Sequence, residues 1–351
     1  MLMFSLSSRR YTGAKTKLLD SIDTSILKSF DYRERKNISF FDVFGGTGVV
    51  SEYFAKKSEF SNIIINDFLH SNFIIYQGFF TQDSFDSKKL ESFKKEFAKL
   101  KPKDIKENYY SKHFGDKFFS KNDSKIIGYV RDRLDYLLEQ KAINEKEFYI
   151  LLSSLLYSVD RVANTVGHYD AYRKNVILQD RFSYELISPL KLEKSIEIYK
   201  EDSNVLAANL AKQKRQIDIA FIDPPYNSRQ YSRFYHLLEN LAQNKKPELY
   251  GVALKPKPTN LSKYCKVEAK EIFKDLIESL AKVCKVLVLT YNNTYTSKSN
   301  SSRNKIKLQE IQTILESVSR VKLYECDFKA FSSGKTDLKE HKEIIFIGEI
   351  K

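Results

Sequence analysis

Tryptophan is absent from the 351 residues, and cysteine (3), methionine (2), proline (7) and glycine (11) are scarce. With so little proline and glycine there is no low-complexity tail, and no internal repeat is found. Cys265, Cys284 and Cys326 lie far apart, with no CxxC pair and no zinc spacing, so no metal site is expected. An odd, sparse cysteine count suits a reducing cytoplasm. The opening MLMFSLSSRR puts its charges after its apolar residues, the wrong order for a secretory signal. No apolar run reaches the ~18–20 residues that span a bilayer, so a membrane chain is not expected. What is abundant points elsewhere. Hydrophobic residues make up 42%, which excludes wholesale disorder. Lys and Arg number 59 against 45 Asp and Glu, a net charge of +14. Such a chain attracts polyanions, nucleic acid first among them. Part of that basicity is compositional, because AT-rich codons favour Lys, Asn, Ile, Phe and Tyr together.

Short apolar runs at 38–44, 62–67, 196–199, 217–223, 285–291, 321–328 and 343–350 read as strands. Most lack clean alternation, as strands covered on both faces do. Helical patterns at 48–57 and 269–282 lie between them. Strand–helix alternation predicts an α/β fold with a Rossmann-like, mostly parallel sheet. The last two strands are joined by a short polar loop at 332–342, too short for a crossover helix, so the last strand is expected to run antiparallel. Between about 68 and 195 the alternation stops, over a length unusual for a loop. Helical patterns at 86–100, 123–140 and 145–159 there predict an inserted, mostly helical domain. The expected division is 1–83 and 191–351 for a catalytic domain, with 84–190 as a recognition domain. The stretch 243–266 carries Lys245, Lys246, Lys255, Lys257, Lys263 and Lys266 with three prolines, and reads as a basic surface loop.

Asp223-Pro224-Pro225-Tyr226 follows the strand IDIAFI and so sits at a strand's C-terminal end, where open α/β sheets bind ligands. The Pro-Pro step fixes the backbone and removes two N–H donors, leaving carbonyl acceptors. A carboxylate, a bare carbonyl and an aromatic face suit a planar ring bearing an amino group. Asp223 and the Pro224 carbonyl would accept its two hydrogens, and Tyr226 would stack on the ring. Asp42-Val43-Phe44-Gly45-Gly46-Thr47-Gly48 stands between another strand and a helix. Its glycines allow close backbone approach, and the helix N-terminus favours a negative group. Asp67 comes 19 residues after Gly48, at the next strand's end, the place for a carboxylate accepting two ribose hydroxyls. Arg10-Tyr11-Thr12-Gly13-Ala14-Lys15 precedes an apolar helix and by itself reads as an ordinary surface segment.

In this order the motifs resemble the Dam-like, α-group adenine-N6 DNA methyltransferases: Tyr-x-Gly-x-Lys, Phe-x-Gly-x-Gly, a strand ending Asn-Asp, a long insert, then Asp-Pro-Pro-Tyr. The resemblance implies S-adenosylmethionine as cofactor. Tyr11, Lys15, Phe44, Gly46 and Gly48 would hold its methionine part, and Asp67 its ribose. The neighbouring Asp42, Gly45 and Thr47 belong to the same loop. Asp202, after the third strand, would contact its adenine, although Ser203 stands where an aromatic is usual. The catalytic motif would be Asp223, Pro224, Pro225 and Tyr226, with Asp223 also beside the cofactor. Arg229 and Tyr231 resemble the post-catalytic loop of one branch of the family. The segment 161–174 resembles another branch signature. It supplies Arg161, Asn164, His168, Tyr169, Tyr172, Arg173 and Lys174, types that bond phosphates and base edges. The expected substrate is double-stranded DNA, with the target adenine flipped from the helix, and a cognate restriction endonuclease is the expected partner.

Cytosine-C5 chemistry needs an attacking thiolate, and no cysteine follows a proline or lies in a glycine loop. Gly334-Lys335-Thr336 imitates a P-loop ending, but Lys329 stands where its first glycine would be. RNA adenine-N6 and DNA cytosine-N4 methylation stay open, because related motifs serve any planar amino group. A non-catalytic DNA-binding protein on a methyltransferase scaffold is the alternative of another class.

Overall fold

The computed structural model describes residues 4–295, 300–327 and 341–351. Seven strands form one sheet: β1 (Ile38–Asp42), β2 (Phe60–Asn66), β3 (Ser195–Tyr199), β4 (Ile217–Ile222), β5 (Cys284–Asn292), β6 (Ser319–Asp327) and β7 (Lys342–Ile350). Their order is β3-β2-β1-β4-β5-β7-β6. Neighbours from β3 through β5 pair in parallel. β7 runs antiparallel to both β5 and β6. Every strand read from the sequence is present, with ends displaced by no more than two residues. The 332–342 loop and Gly334–Thr336 fall outside the described residues, apart from the loop's last two positions.

All five residues of β1 are buried, which requires cover on both faces of the sheet. Alternation along the strand then decides which layer each residue meets. Phe41 belongs to a cluster with Ile64, Leu206, Leu210, Phe273, Leu276, Leu287 and Leu315. The helix Ala269–Leu280 supplies that cluster by amphipathic spacing, burying Ala269, Phe273, Leu276, Ile277 and Leu280. Phe40 points the other way and stacks on Phe54 at 4.4 Å between ring centroids. The strand order reverses between β1 and β4, so their C-terminal ends bound the crevice where such sheets bind ligands.

Two compact units divide the chain. The sheet unit comprises Gly13–Phe68, Leu192–Gln230 and Asn260–Lys351. The helical unit comprises residues 4–12, Leu69–Lys191 and Tyr231–Thr259. It therefore draws on three separate segments, where the sequence reading assigns it 84–190 alone.

In the helical unit, helices His70–Phe80 and Glu145–Val162 pack closely at Gly78. A Cβ there would lie 2.5 Å from Ser153 Oγ and 2.7 Å from the Tyr149 carbonyl oxygen. Buried Lys146 donates to the carbonyls of Gln77, Gly78 and Thr81 and so closes the end of helix His70–Phe80. Burial lowers its pKa to about 8, against an opposing pull from Asp83. Asn144 and Glu147 form a capping box at the start of Glu145–Val162. Among the described residues, no helix is long and apolar enough to cross a membrane.

Candidate active site

The glycine loop begins where β1 ends. Gly46 and Gly48 adopt φ of +54° and +85°, in the left-handed region that glycine enters without strain. Gly48 is the N-cap of helix Val49–Ala55. The Gly45 N–H bonds to the Asn66 carbonyl, and the Gly46 N–H to Asp67 Oδ2 at 2.8 Å. Buried Thr47 accepts from the Val49 N–H. Half-buried Phe44 meets Tyr264 edge-on, at 5.2 Å between centroids. Asn66 ties three strand ends together: its amide nitrogen donates to the carbonyls of Val43 and Glu201, and its oxygen accepts the Glu201 N–H.

Asp42 is 1% exposed. Ser51 donates to its Oδ2 at 2.6 Å, and among the described residues no group bonds its Oδ1. Burial raises its pKa to about 7. The Ser51 hydrogen bond opposes this, and the charges of Asp223 and Asp67 add to it. Asp202, placed at the cofactor adenine by resemblance, caps helix Ser203–Lys212 by accepting the N–H groups of Asn204 and Val205.

Asp223 follows β4 directly. Its Oδ2 lies 2.7 Å from Lys15 Nζ. Its Oδ1 accepts the hydroxyls of Tyr226 at 2.6 Å and Thr290 at 2.9 Å. Pro224 is buried and Pro225 half-buried. Lys15 also reaches the Gly13 carbonyl at 3.1 Å and Glu343 Oε1 at 3.4 Å. Burial alone would lower the Lys15 pKa, but the two carboxylates outweigh it and the pKa is raised. Glu343 and Thr290 escape the sequence reading. Each is a polar residue in an apolar run of a strand covered on both faces, and that contrast is the signal that could have found them.

Tyr226, expected to stack on the target ring, is half-buried. Its hydroxyl bonds Asp223 and, at 2.5 Å, Glu343 Oε1. Its ring has Tyr291 at 4.3 Å between centroids and Lys15 Nζ at 5.2 Å. Its carbonyl accepts the Lys305 N–H and the Tyr291 hydroxyl. The residue is held in place from ring to backbone.

Tyr11 and Lys15, one motif in the sequence, belong to different units. In the helical unit the Tyr11 ring stacks on Tyr235 at 4.7 Å and on Tyr231 at 5.4 Å. The Tyr231 hydroxyl bonds the Thr12 carbonyl. Two residues expected to face nucleic acid are structural instead. Tyr169 is 1% exposed and donates to Asp160 Oδ1 at 2.9 Å. Asn164 is buried and donates to the carbonyls of Lys117 and Arg173, which folds the 164–173 segment back on itself. His168 stacks on Phe234, and half-buried Tyr172 meets Phe118. Arg161, Arg173 and Lys174 are exposed. Arg229, in the sheet unit, is half-buried, and its carbonyl accepts from Cys265 Sγ.

The 243–266 stretch is less of a basic surface loop than its composition implies. Lys255 pairs with Asp170 and Lys246 with Asp132. Tyr264 and Cys265 are buried. Internal carboxylates thus neutralise part of its charge.

The family model for D12 class N6 adenine-specific DNA methyltransferases matches residues 11–287. The chain is 27% identical over 349 residues to the type II methyltransferase M.NlaIII of Neisseria lactamica, covering 95% of each. It is 30% identical over 364 residues to the type II methyltransferase M.FokI of Planomicrobium okeanokoites, covering 96% of this chain and 52% of that one. With the modification methylase StsI of Streptococcus sanguinis it is 30% identical over 298 residues, covering 81% of this chain and 44% of the relative. The chain spans about half the length of these last two proteins.

Proposed function

Because the chain belongs to the D12 class of N6 adenine-specific DNA methyltransferases, whose cofactor is S-adenosylmethionine, we propose that Asp223 receives the amino group of a flipped adenine and that the glycine loop holds the cofactor. One observation carries the first part. A carboxylate offers about four lone-pair sites, and Lys15, Tyr226 and Thr290 take three at Asp223. One acceptor site remains at the C-terminal end of β4, beside the strand-order reversal. The Pro224 carbonyl is the second acceptor for the same amino group.

The loop fits the cofactor. Its positive-φ glycines bring bare backbone close, and the start of helix Val49–Ala55 favours a carboxylate. Asp42 Oδ1 is a buried acceptor with no partner among the described residues. Asp67, fixed by the Gly46 N–H, is the carboxylate for the ribose hydroxyls. When bound, S-adenosylmethionine supplies an electrophilic methyl group. Asp223 orients the adenine nitrogen toward it, and because Lys15 and Thr290 hold the carboxylate beforehand, little reorganisation is needed. Exposed Arg173, Lys174 and Arg161 are the phosphate contacts of the helical unit. The relatives named as type II methyltransferases support a protective role beside a restriction endonuclease.

The test is transfer of tritiated methyl to duplex DNA, duplex RNA and no substrate, followed by nucleoside analysis. N6-methyladenine in DNA alone is the expected result. Label in RNA, or N4-methylcytosine in DNA, would overturn the reading.

A further inference from the structure

We propose that Tyr226 and Glu343 extend Asp223 into a proton-accepting cluster that takes up the proton adenine N6 gives up when it is methylated. The inference rests on the methyl transfer proposed above.

The cluster is one proton short. The Tyr226 oxygen lies 2.6 Å from Asp223 Oδ1 and 2.5 Å from Glu343 Oε1. A neutral phenol has one proton to give, yet two carboxylates crowd its oxygen. Lys15 is the cation that reaches both, at 2.7 Å and 3.4 Å. With both acids ionised the group carries a net charge of about −1, and Lys15 and Glu343 are almost wholly buried. One added proton makes the group neutral and gives each short O···O contact its own hydrogen.

The reaction releases one proton. As the N6–C bond forms, the S–C bond breaks and its electron pair returns to sulfur. Positive charge develops on N6, and the net negative cluster favours that transition state. N6 then gives a proton to Asp223. A half-turn of the carboxyl about its Cβ–Cγ bond brings that proton opposite the Tyr226 oxygen, and Asp223 passes it there while the Tyr226 proton moves to Glu343. Tyr226 ends neutral, Asp223 ends ionised, and Glu343 ends as a carboxylic acid. Glu343 returns the proton to water before the next turnover.

The surroundings of Glu343 suit this role. In register, Asn292 of β5 and Cys326 of β6 lie beside it. Tyr291 packs on the Tyr226 ring, and His341, two residues before, bonds Thr294. Among the described residues, the charged groups facing its carboxylate are Lys15 and Asp223. Burial raises the Glu343 pKa; Lys15 opposes this, Asp223 adds to it, and the Tyr226 hydrogen bond opposes it. Acting through Tyr226, Glu343 is a positioning residue.

The experiment is single-turnover methyl transfer to duplex DNA from pH 5 to 9, for the native chain, Glu343→Gln and Tyr226→Phe. Cofactor affinity and melting temperature are measured beside it. The native rate should fall on the acid side, with a midpoint above the ordinary glutamate value, because Glu343 is then protonated ahead of the reaction. Glu343→Gln should be slower by roughly tenfold or more at every pH and should lose the acid limb. Tyr226→Phe, which keeps the ring and removes the bridge, should do the same. A native rate in Glu343→Gln, or a slowed rate with the acid limb intact, overturns the proposal. If Glu343→Gln does not fold, a native profile in Tyr226→Phe overturns it. A native chain that methylates no adenine sinks the functional reading instead, so the two failures are distinct.

Discussion

The ammonium of Lys15 lies 2.7 Å from the carboxylate of Asp223, joining the motif before the first strand to the motif after the fourth. A glutamate on the last strand lies within 3.4 Å of the same ammonium. Removing the lysine should therefore leave buried Glu343 and half-buried Asp223 without their shared cation. Lys15→Met is expected to lower stability by about 3 kcal/mol or more in urea unfolding. Adding Glu343→Gln to it should recover part of the loss, because one uncompensated charge goes with it. Strictly additive effects would show that Lys15 and Glu343 do not interact.

Asp42 makes stability depend on pH. Its folded pKa of about 7 lies above the ordinary value of 3.8. The folded chain thus keeps a proton that the unfolded chain loses. This contribution is complete below about pH 4 and is lost as the pH rises through 7. Asp42→Asn removes the titration. Relative to native, it should be more stable at pH 8 than at pH 5, by about 2–4 kcal/mol between the two. Any constant effect of the amide cancels in that difference. Equal effects at both pH values, in cofactor-free urea melts, would place the Asp42 pKa in the ordinary range.

Asp67→Ala should weaken S-adenosylmethionine binding. A charge-assisted hydrogen bond is worth roughly 1.5–3 kcal/mol, so a loss of about tenfold or more is expected in calorimetry. Unchanged affinity would remove Asp67 from the ribose.

Arg173 and Lys174 are exposed, whereas Lys255 is engaged by Asp170. Replacing Arg173 and Lys174 together by alanine should reduce the salt dependence of DNA binding by about two counterions. Lys255→Ala should leave the slope as it was. The reverse pattern, read from titrations at several salt concentrations, would put the phosphate contacts on the 243–266 stretch.

The sheet was legible because buried strands announce themselves as apolar runs, and the turn after β1 because its positive-φ positions demand glycine. Glu343 and Thr290 were not read, since their partners lie far away in the chain: the pairing of β5 with β4 brings Thr290 to Asp223, and that of β7 with β5 brings Glu343 to Tyr226 and Lys15. Asn164 and Tyr169 were misread for a related reason. Polar types after a helix suit a nucleic-acid face, but the same types also satisfy buried carbonyls and carboxylates, and here they do the latter. The sequence counts lysines without their counter-charges, so Lys246 and Lys255 looked available.

The chain passes between its two units five times, after residues 12, 68, 191, 230 and 259. The helical unit is consequently not a cassette. Cutting out 84–190 would strand Ile74, Ile75, Phe79, Leu237 and Leu241, all buried, on whatever remained. The Tyr11–Tyr235 stack joins the first segment to the third, so a ribosome must pass residue 235 before that contact can form. Swapping one contiguous block between relatives would therefore leave part of the helical unit behind. Any chimaera has to carry three segments together, and its crossover points are those five positions.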